Sequence, residues 1–269
     1  MEHFEANGAM IEYQVQGSGE PVLLIDLSLN ADGLGRPLLS QPELASHYRL
    51  IHYHRRGYMG STLGFQPLTA SCQASDAAAL LQHLGVSSAH IVGHSFGGTI
   101  ALQLAGESPE LVHSLALLEP ALRMVPNGGA YMGRLFAPIM EAYRSGNKGL
   151  TVELIGNGVY GPNWQPVVEK AIPGGVDQAL RDVDTFMQEL PAIQEWQFGA
   201  KQAAAIRQPV LSVLGLEGSP FMKEGRTLIH AWFPQAEDLD VPTNHLLQMK
   251  DPHSVAGGLA AFFSRHPIV

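Results

Sequence analysis

The sequence predicts an α/β fold: a mostly parallel sheet flanked by helices, with a helical segment inserted before the last two strands. Three observations carry this. The continuous apolar run at residues 21–25 has strand length without alternation, as expected of a parallel strand buried on both faces, and residues 112–118 read as another buried strand. Stretches with helical periodicity separate these runs in regular alternation. Between residues 120 and 207 the buried strands stop, and aromatic and methionine side chains at helical spacing take over.

The chain opens with two alternating stretches, residues 2–6 and 10–15, separated by Asn7-Gly8, a strong hairpin turn pair. Gly17-Ser18-Gly19 ends the hairpin. Residues 21–25 and 48–53 follow as buried strands, the second leading into the turn-rich Arg55-Arg56-Gly57-Tyr58-Met59-Gly60-Ser61. Residues 69–84 read as a helix that stops at Gly85. A strand at 89–92, a small-residue helix from Gly98 and a strand at 112–118 complete the first half. Helices are expected over 131–144, 163–170 and 176–190. The alternation resumes with a strand at 209–215, a helix at 221–233, a strand at 236–241 and a closing helix at 252–266. The expected organisation is a core of residues 1–120 and 207–269, with a helical cap at 121–206.

Composition narrows the function classes. The 269 residues are 45% hydrophobic and 15% charged, enough for one large buried core. The net charge of −9, with no basic cluster longer than Arg55-Arg56, argues against nucleic acid and anionic membranes as partners. One cysteine, Cys72, excludes an internal disulfide and a cysteine-based metal cage; on a helical stretch it reads as a small buried hydrophobe. The amino terminus has neither a basic n-region nor an apolar h-region, so no secretory leader is expected and the cytoplasm is the default. No apolar run approaches membrane-spanning length. Gly33-x-Gly35 does not directly follow a strand and lacks a phosphate-binding partner, so no cofactor is expected. His90 and His94, in extended spacing, would hold their rings roughly 13 Å apart, too far to share an ion, and no metal is expected.

The chemistry concentrates in Gly93-His94-Ser95-Phe96-Gly97. A strand precedes it and a small apolar helix follows, which sets Ser95 at the apex of a nucleophile elbow with Oγ exposed. The flanking glycines are required, since a Cβ there would collide with the neighbouring strand and helix. A serine hydroxyl needs a base within reach, and twelve histidines compete for that role. His52, His54 and His253, at strand or helix ends, read as capping or solvated side chains.

With this elbow, the Arg-Arg-Gly-Tyr turn at 55–58, Gly215 closing a late strand and Asn244-His245 after the last strand, the chain resembles the α/β-hydrolase fold superfamily over essentially its whole length. The resemblance implies the order nucleophile, acid, histidine. It makes His245 the base and turns His94 away from the reaction. The usual acid follows the late strand in a Gly-x-x-Asp pattern, here Gly215-Leu216-Glu217-Gly218, so the position falls on a residue without a side chain. Glu217 stands one residue early. Leu117-Leu118-Glu119-Pro120 offers a carboxylate at the end of an earlier strand, a placement similar to that in zearalenone-type lactonases and one subgroup of haloalkane dehalogenases. Both strand ends lie on the rim where open α/β sheets bind ligands. A buried Glu119 would need a cationic or N–H partner, and His245 fits. Glu119 is therefore the expected acid and Glu217 the alternative; the competing role for Glu119 is to bond N–H groups of the cap's first turn.

The same resemblance implies an oxyanion hole built from the backbone N–H groups of Phe96 and, by position, Ser28. A His-Gly pair is usual in that loop. This chain reads Ile25-Asp26-Leu27-Ser28, so the loop is more restricted, and Asp26 reads as a turn-stabilising side chain. The activity implied is hydrolysis of a carboxylic ester or lactone through an acyl-enzyme, with a small hydrophobic substrate suggested by the cap aromatics, which serve equally as cap core. A carbon–carbon bond hydrolase and a cofactor-free haloperoxidase or perhydrolase use the same triad, and a ligand receptor of this fold is the non-enzyme alternative. Dehalogenase and epoxide hydrolase chemistry need an Asp where Ser95 stands. A homodimer is compatible with the sequence.

Overall fold

The computed structural model describes residues 1–268. The amino-terminal hairpin is β1 (Glu2–Ala6) and β2 (Ala9–Gln16), joined by Asn7 and Gly8 at φ 49° and 76°, the left-handed pair that a two-residue hairpin turn favours. β3 (Glu20–Ile25), β4 (Tyr48–Tyr53), β5 (Ala89–His94), β6 (Val112–Leu118), β7 (Val210–Gly215) and β8 (Glu237–Val241) complete one sheet. The order is β1-β2-β4-β3-β5-β6-β7-β8. Among the described residues, only the β1/β2 and β2/β4 pairs are antiparallel.

Strand periodicity assigns side chains to two cores. In β3, Val22 and Leu24 pack with Leu38, Leu44 and Phe262 of α1 (Gly35–Leu39), α2 (Pro42–Ala45) and a carboxyl-terminal helix spanning Pro252–Arg265. Leu23 and Ile25 join the other face, covered by α3 (Ala70–His83) and α4 (Phe96–Glu107). All residues of β5 and β7 are buried, which is why both read as apolar runs without alternation.

Between β6 and β7 run α5 (Gly128–Arg144), α6 (Lys148–Val159), α7 (Trp164–Ala171), α8 (Gly175–Glu195) and α9 (Ala200–Ala203). The first four have buried residues, including Phe136, Ile155, Val168 and Phe186, that merge with the core cluster of the α3/α4 face. Sequence reading missed α6. Gly149, Gly156 and Gly158 lower its helix propensity, yet a Cβ on Gly156 would lie 2.1 Å from the Trp164 ring. That glycine serves helix packing. α10 (Pro220–Trp232), α11 (Leu247–Lys250) and α12 (the Pro252–Arg265 helix) complete the chain. Among the described residues no helix is long and apolar enough to cross a membrane.

Because β3, β5, β6, β7 and β8 are mutually parallel, the segments that follow them, at residues 26–29, 95, 119, 216–218 and 242–245, converge on one rim.

Candidate active site

Ser95 sits between β5 and α4 with φ 55° and ψ −120°, a conformation that costs about 1–3 kcal/mol for a residue with a Cβ. A Cβ on Gly93 would lie 2.4 Å from Gly97 O, and one on Gly97 would lie 2.2 Å from Ile25 O. Ser95 N–H donates to Leu118 O at 2.9 Å, and Ala121 N–H donates to Ser95 O at 3.1 Å, so the elbow is strapped to the end of β6. Phe96 opens α4, where its N–H has no intrahelical acceptor.

Glu119 directly follows β6 with φ 42°, again left-handed. Its side chain is buried, and both oxygens are used: Gly215 N–H donates to Oε1 at 2.8 Å, and His245 Nδ1 donates to Oε2 at 2.5 Å. A proton held on Nδ1 leaves the Nε2 lone pair free to act as a base. Nε2 is itself buried and, among the described residues, has no hydrogen-bond partner. The imidazole has two aromatic neighbours, His94 at 4.7 Å between ring centroids and Tyr160 at 6.2 Å.

His94 therefore corrects the sequence expectation. It does not turn away; its ring packs against the His245 ring, while Gln248 Nε2 lies 3.1 Å from its Nδ1. Burial, reinforced by the neighbouring His245 ring, pushes His94 well below the usual histidine range.

Glu217 is exposed, with Lys250 Nζ at 3.8 Å. Gly218 faces Glu119 instead: a Cβ there would lie 3.0 Å from Glu119 Oε1 and 2.9 Å from Gly215 O. The missing side chain at 218 is the room the carboxylate uses.

The loop after β3 is tied from several sides. Asp26 Oδ1 accepts from Leu34 N–H at 2.5 Å, and Oδ2 accepts from His52 Nε2 at 2.6 Å, so it does more than stabilise a turn. Burial pushes the Asp26 carboxyl up, against the pull of His52. Leu29 has φ 74°. Arg55, on the far side of the loop, donates to Asp26 O and Leu27 O, both at 3.1 Å, and pairs with a buried carboxylate, Glu189 of α8. Sequence reading noted the Arg-Arg-Gly-Tyr turn without assigning Arg55 a role, and nothing in the local pattern singled out Glu189, 134 residues away.

Ser95, Phe96 and Ser28 line a cavity of about 60 Å³, with Phe136 and Ile155 from α5 and α6 and Phe186 from α8 among its walls. Among the described residues, its lining carries no charged side chain. Apart from Ser28 and Ser95, among the described residues only the Tyr131 and Tyr160 hydroxyls bring side-chain polarity.

His52 and His54 also differ from expectation, being buried and hydrogen-bonded to carboxylates. His54 Nδ1 lies 2.6 Å from Glu12 Oε2, and its Nε2 lies 2.9 Å from Asp32 Oδ1. Burial disfavours the charged ring, but the two carboxylates outweigh it and raise the His54 pKa. Asp32, His52 and His54 offer donor atoms within 4.8 Å of one another, the spacing of a metal cluster. These atoms are engaged in hydrogen bonds with Glu12, Asp26 and each other that tie the loop after β3 to β2 and β4. His253 is exposed beside Glu43 Oε1 at 2.7 Å. Cys72 is half-buried on α3, its N–H donating to the Thr69 cap at 3.1 Å.

A family model described as the alpha/beta hydrolase fold matches residues 33–164. The chain is 28% identical over 271 residues to the dihydrolipoyllysine-residue acetyltransferase component of the acetoin cleaving system of Pseudomonas putida, covering 97% of this chain and 69% of that one. Among solved structures it is similar to the enol-lactonase from Burkholderia xenovorans LB400, with TM-score 0.81, 17% identity and coverage of 98% of this chain and 100% of that one. It is also similar to an esterase from Rhodococcus sp. ECU1013, with TM-score 0.79, 22% identity and coverage of 99% and 100%. At these identities the structural likeness is one of fold.

Proposed function

We propose that this chain, which belongs to the α/β-hydrolase fold superfamily, is a serine hydrolase that cleaves a small, uncharged, hydrophobic carboxylic ester or lactone. The observation that carries the reading is the Glu119–His245 pair with its unpartnered Nε2, on the same sheet rim as a strained serine that opens onto an apolar cavity.

In this reading Ser95 Oγ attacks the carbonyl carbon while His245 Nε2 takes its proton. Glu119 holds the Nδ1–H tautomer and stabilises the imidazolium that forms. The Phe96 and Ser28 N–H groups receive the developing oxyanion. On collapse of the tetrahedral adduct, His245 returns the proton to the leaving alcohol and an acyl-Ser95 ester remains. Water, deprotonated by the same imidazole, then releases the acid. Residues 121–206 act as the cap that excludes bulk water and sets the size of the acyl or alcohol group. The uncharged lining argues for neutral substrates, since an ionised group there would lose its hydration without a counter-ion.

The test is a panel of p-nitrophenyl esters and lactones of graded length, assayed on wild type, Ser95→Ala and His245→Ala, with a fluorophosphonate probe as an independent readout. Each variant is expected to lose about 10³-fold or more in kcat while remaining folded, because the two residues act as one unit. A folded Ser95→Ala enzyme with near-wild-type hydrolysis would reject the reading.

A further inference from the structure

We infer that Glu189 is a positioning residue for the oxyanion-binding loop, acting through Ser28 and Arg55; this rests on the serine hydrolase reading above. Glu189 lies on α8, and its side chain is fully buried. Oε2 accepts from the hydroxyl of Ser28 and from that of Tyr58, the latter at 3.0 Å. Oε1 accepts from Arg55 Nη1 and from Gln73 Nε2, the latter at 2.9 Å. A carboxylate offers about four lone-pair directions, so this one is satisfied by protein donors alone.

The partners converge on the loop that must present a backbone donor. Arg55 pairs with Glu189 and, with the same guanidinium, donates to Asp26 O and Leu27 O. The carbonyl of Leu27 and the N–H of Ser28 belong to one trans peptide plane and point in opposite directions. Holding that carbonyl against Arg55 therefore aims the Ser28 N–H away from Arg55. On Ser28 itself, the hydroxyl donates its hydrogen bond to Glu189 Oε2, so it presents no competing donor to the cavity that Ser28 lines. A loop without glycine, and with Leu29 at φ 74°, does not take this shape by local preference. External ties replace the missing glycine. α8 also sends Phe186 and Ile193 to the cavity wall, three residues before and four after Glu189, which puts all three on one helical face. One helix thus shapes the cavity and holds the donor loop.

The experiment measures kcat and KM for Glu189→Gln, Ser28→Ala and the double variant on one short p-nitrophenyl ester, with Ser95→Ala alongside and Tm recorded for each. Glu189→Gln is expected to lower kcat about 10-fold or more with KM within about threefold. Ser28→Ala is expected to lower kcat about threefold, and the two effects to be clearly less than multiplicative in the double variant. A merely structural role would lower Tm and leave the kcat of the folded enzyme at the wild-type value, which overturns the proposal. Gln at 189 leaves the Arg55 cation buried without its counter-ion, and that variant can fail to fold. Ser28→Ala leaves the Arg55–Glu189 pair and the backbone donor intact, so an unchanged kcat there overturns the proposal by itself. If Ser95→Ala stays active, the serine hydrolase reading fails and the proposal falls with it. If Ser95→Ala is inactive while the 28 and 189 variants keep wild-type kcat, the proposal alone fails.

Discussion

Glu119 and His245 stand 126 positions apart in the sequence, yet Oε2 of one lies 2.5 Å from Nδ1 of the other. The remaining oxygen of Glu119 is fixed by Gly215 N–H, so the carboxylate cannot rotate away without breaking two bonds. The pair is anchored by the ends of three strands: Glu119 follows β6, Gly215 closes β7 and His245 follows β8.

This geometry separates the two candidate acids by experiment. Glu119→Gln keeps the shape but removes the charge that stabilises the imidazolium, and kcat should fall roughly 10²- to 10⁴-fold with little change in KM. Glu217→Gln should stay within about threefold of wild type, because its side chain is solvated and only loosely paired. The reverse ranking would return the acid to the late strand.

Gly218 leads to a rescue experiment. A side chain there crowds the Glu119 carboxylate, so Gly218→Asp alone should lose activity. Combined with Glu119→Ala, the same Asp enters the vacated space beside His245. The double variant should recover about 10-fold or more over Glu119→Ala, a coupling expected only of groups sharing one partner. Simple addition of the two losses would show that the late-strand position cannot reach the imidazole in this chain.

Cavity walls set by α5, α6 and α8 make chain length the sensitive variable. Phe186→Ala or Phe136→Ala should raise kcat/KM for longer acyl esters about 10-fold relative to acetate, with kcat on the acetate ester within about threefold. An unchanged chain-length profile would mean that these rings serve packing alone.

Asp182 gives a pH prediction for stability. Burial pushes its carboxyl up to about 6, and its Oδ2 has no hydrogen-bond partner among the described residues. The folded pKa lies above the unfolded one, so the folded state binds the proton more tightly and loses stability as pH rises from about 4 through about 6. Allowing for solvent screening, the cost above that window is on the order of 1–2 kcal/mol. Asp182→Asn should therefore raise Tm by about 2–5 °C at pH 7.5 and leave it unchanged near pH 4, as measured by thermal melts at both values. An equal shift at both pH values would exclude ionisation as the cause.

Much of the fold was legible in the sequence because its signals are local. Asn7-Gly8, the apolar strand runs, the Gly85 stop and the strand–turn–helix around Ser95 each lie within a few residues, where backbone preference and side-chain period act directly. α6 was lost because its glycines speak against a helix until Trp164 packs on Gly156. The site divides in the same way. Ser95 and the loop of His245 could be placed from motif and order, whereas Glu119 and Glu217 could only be ranked. Packing decided between them as neighbours of His245, by leaving space at Gly218 and supplying the Gly215 N–H. Glu189 was out of reach for the same physical reason. Its partners Ser28, Arg55, Tyr58 and Gln73 lie between 116 and 161 positions away, and a buried carboxylate shows its role only when the donors that balance it are in place.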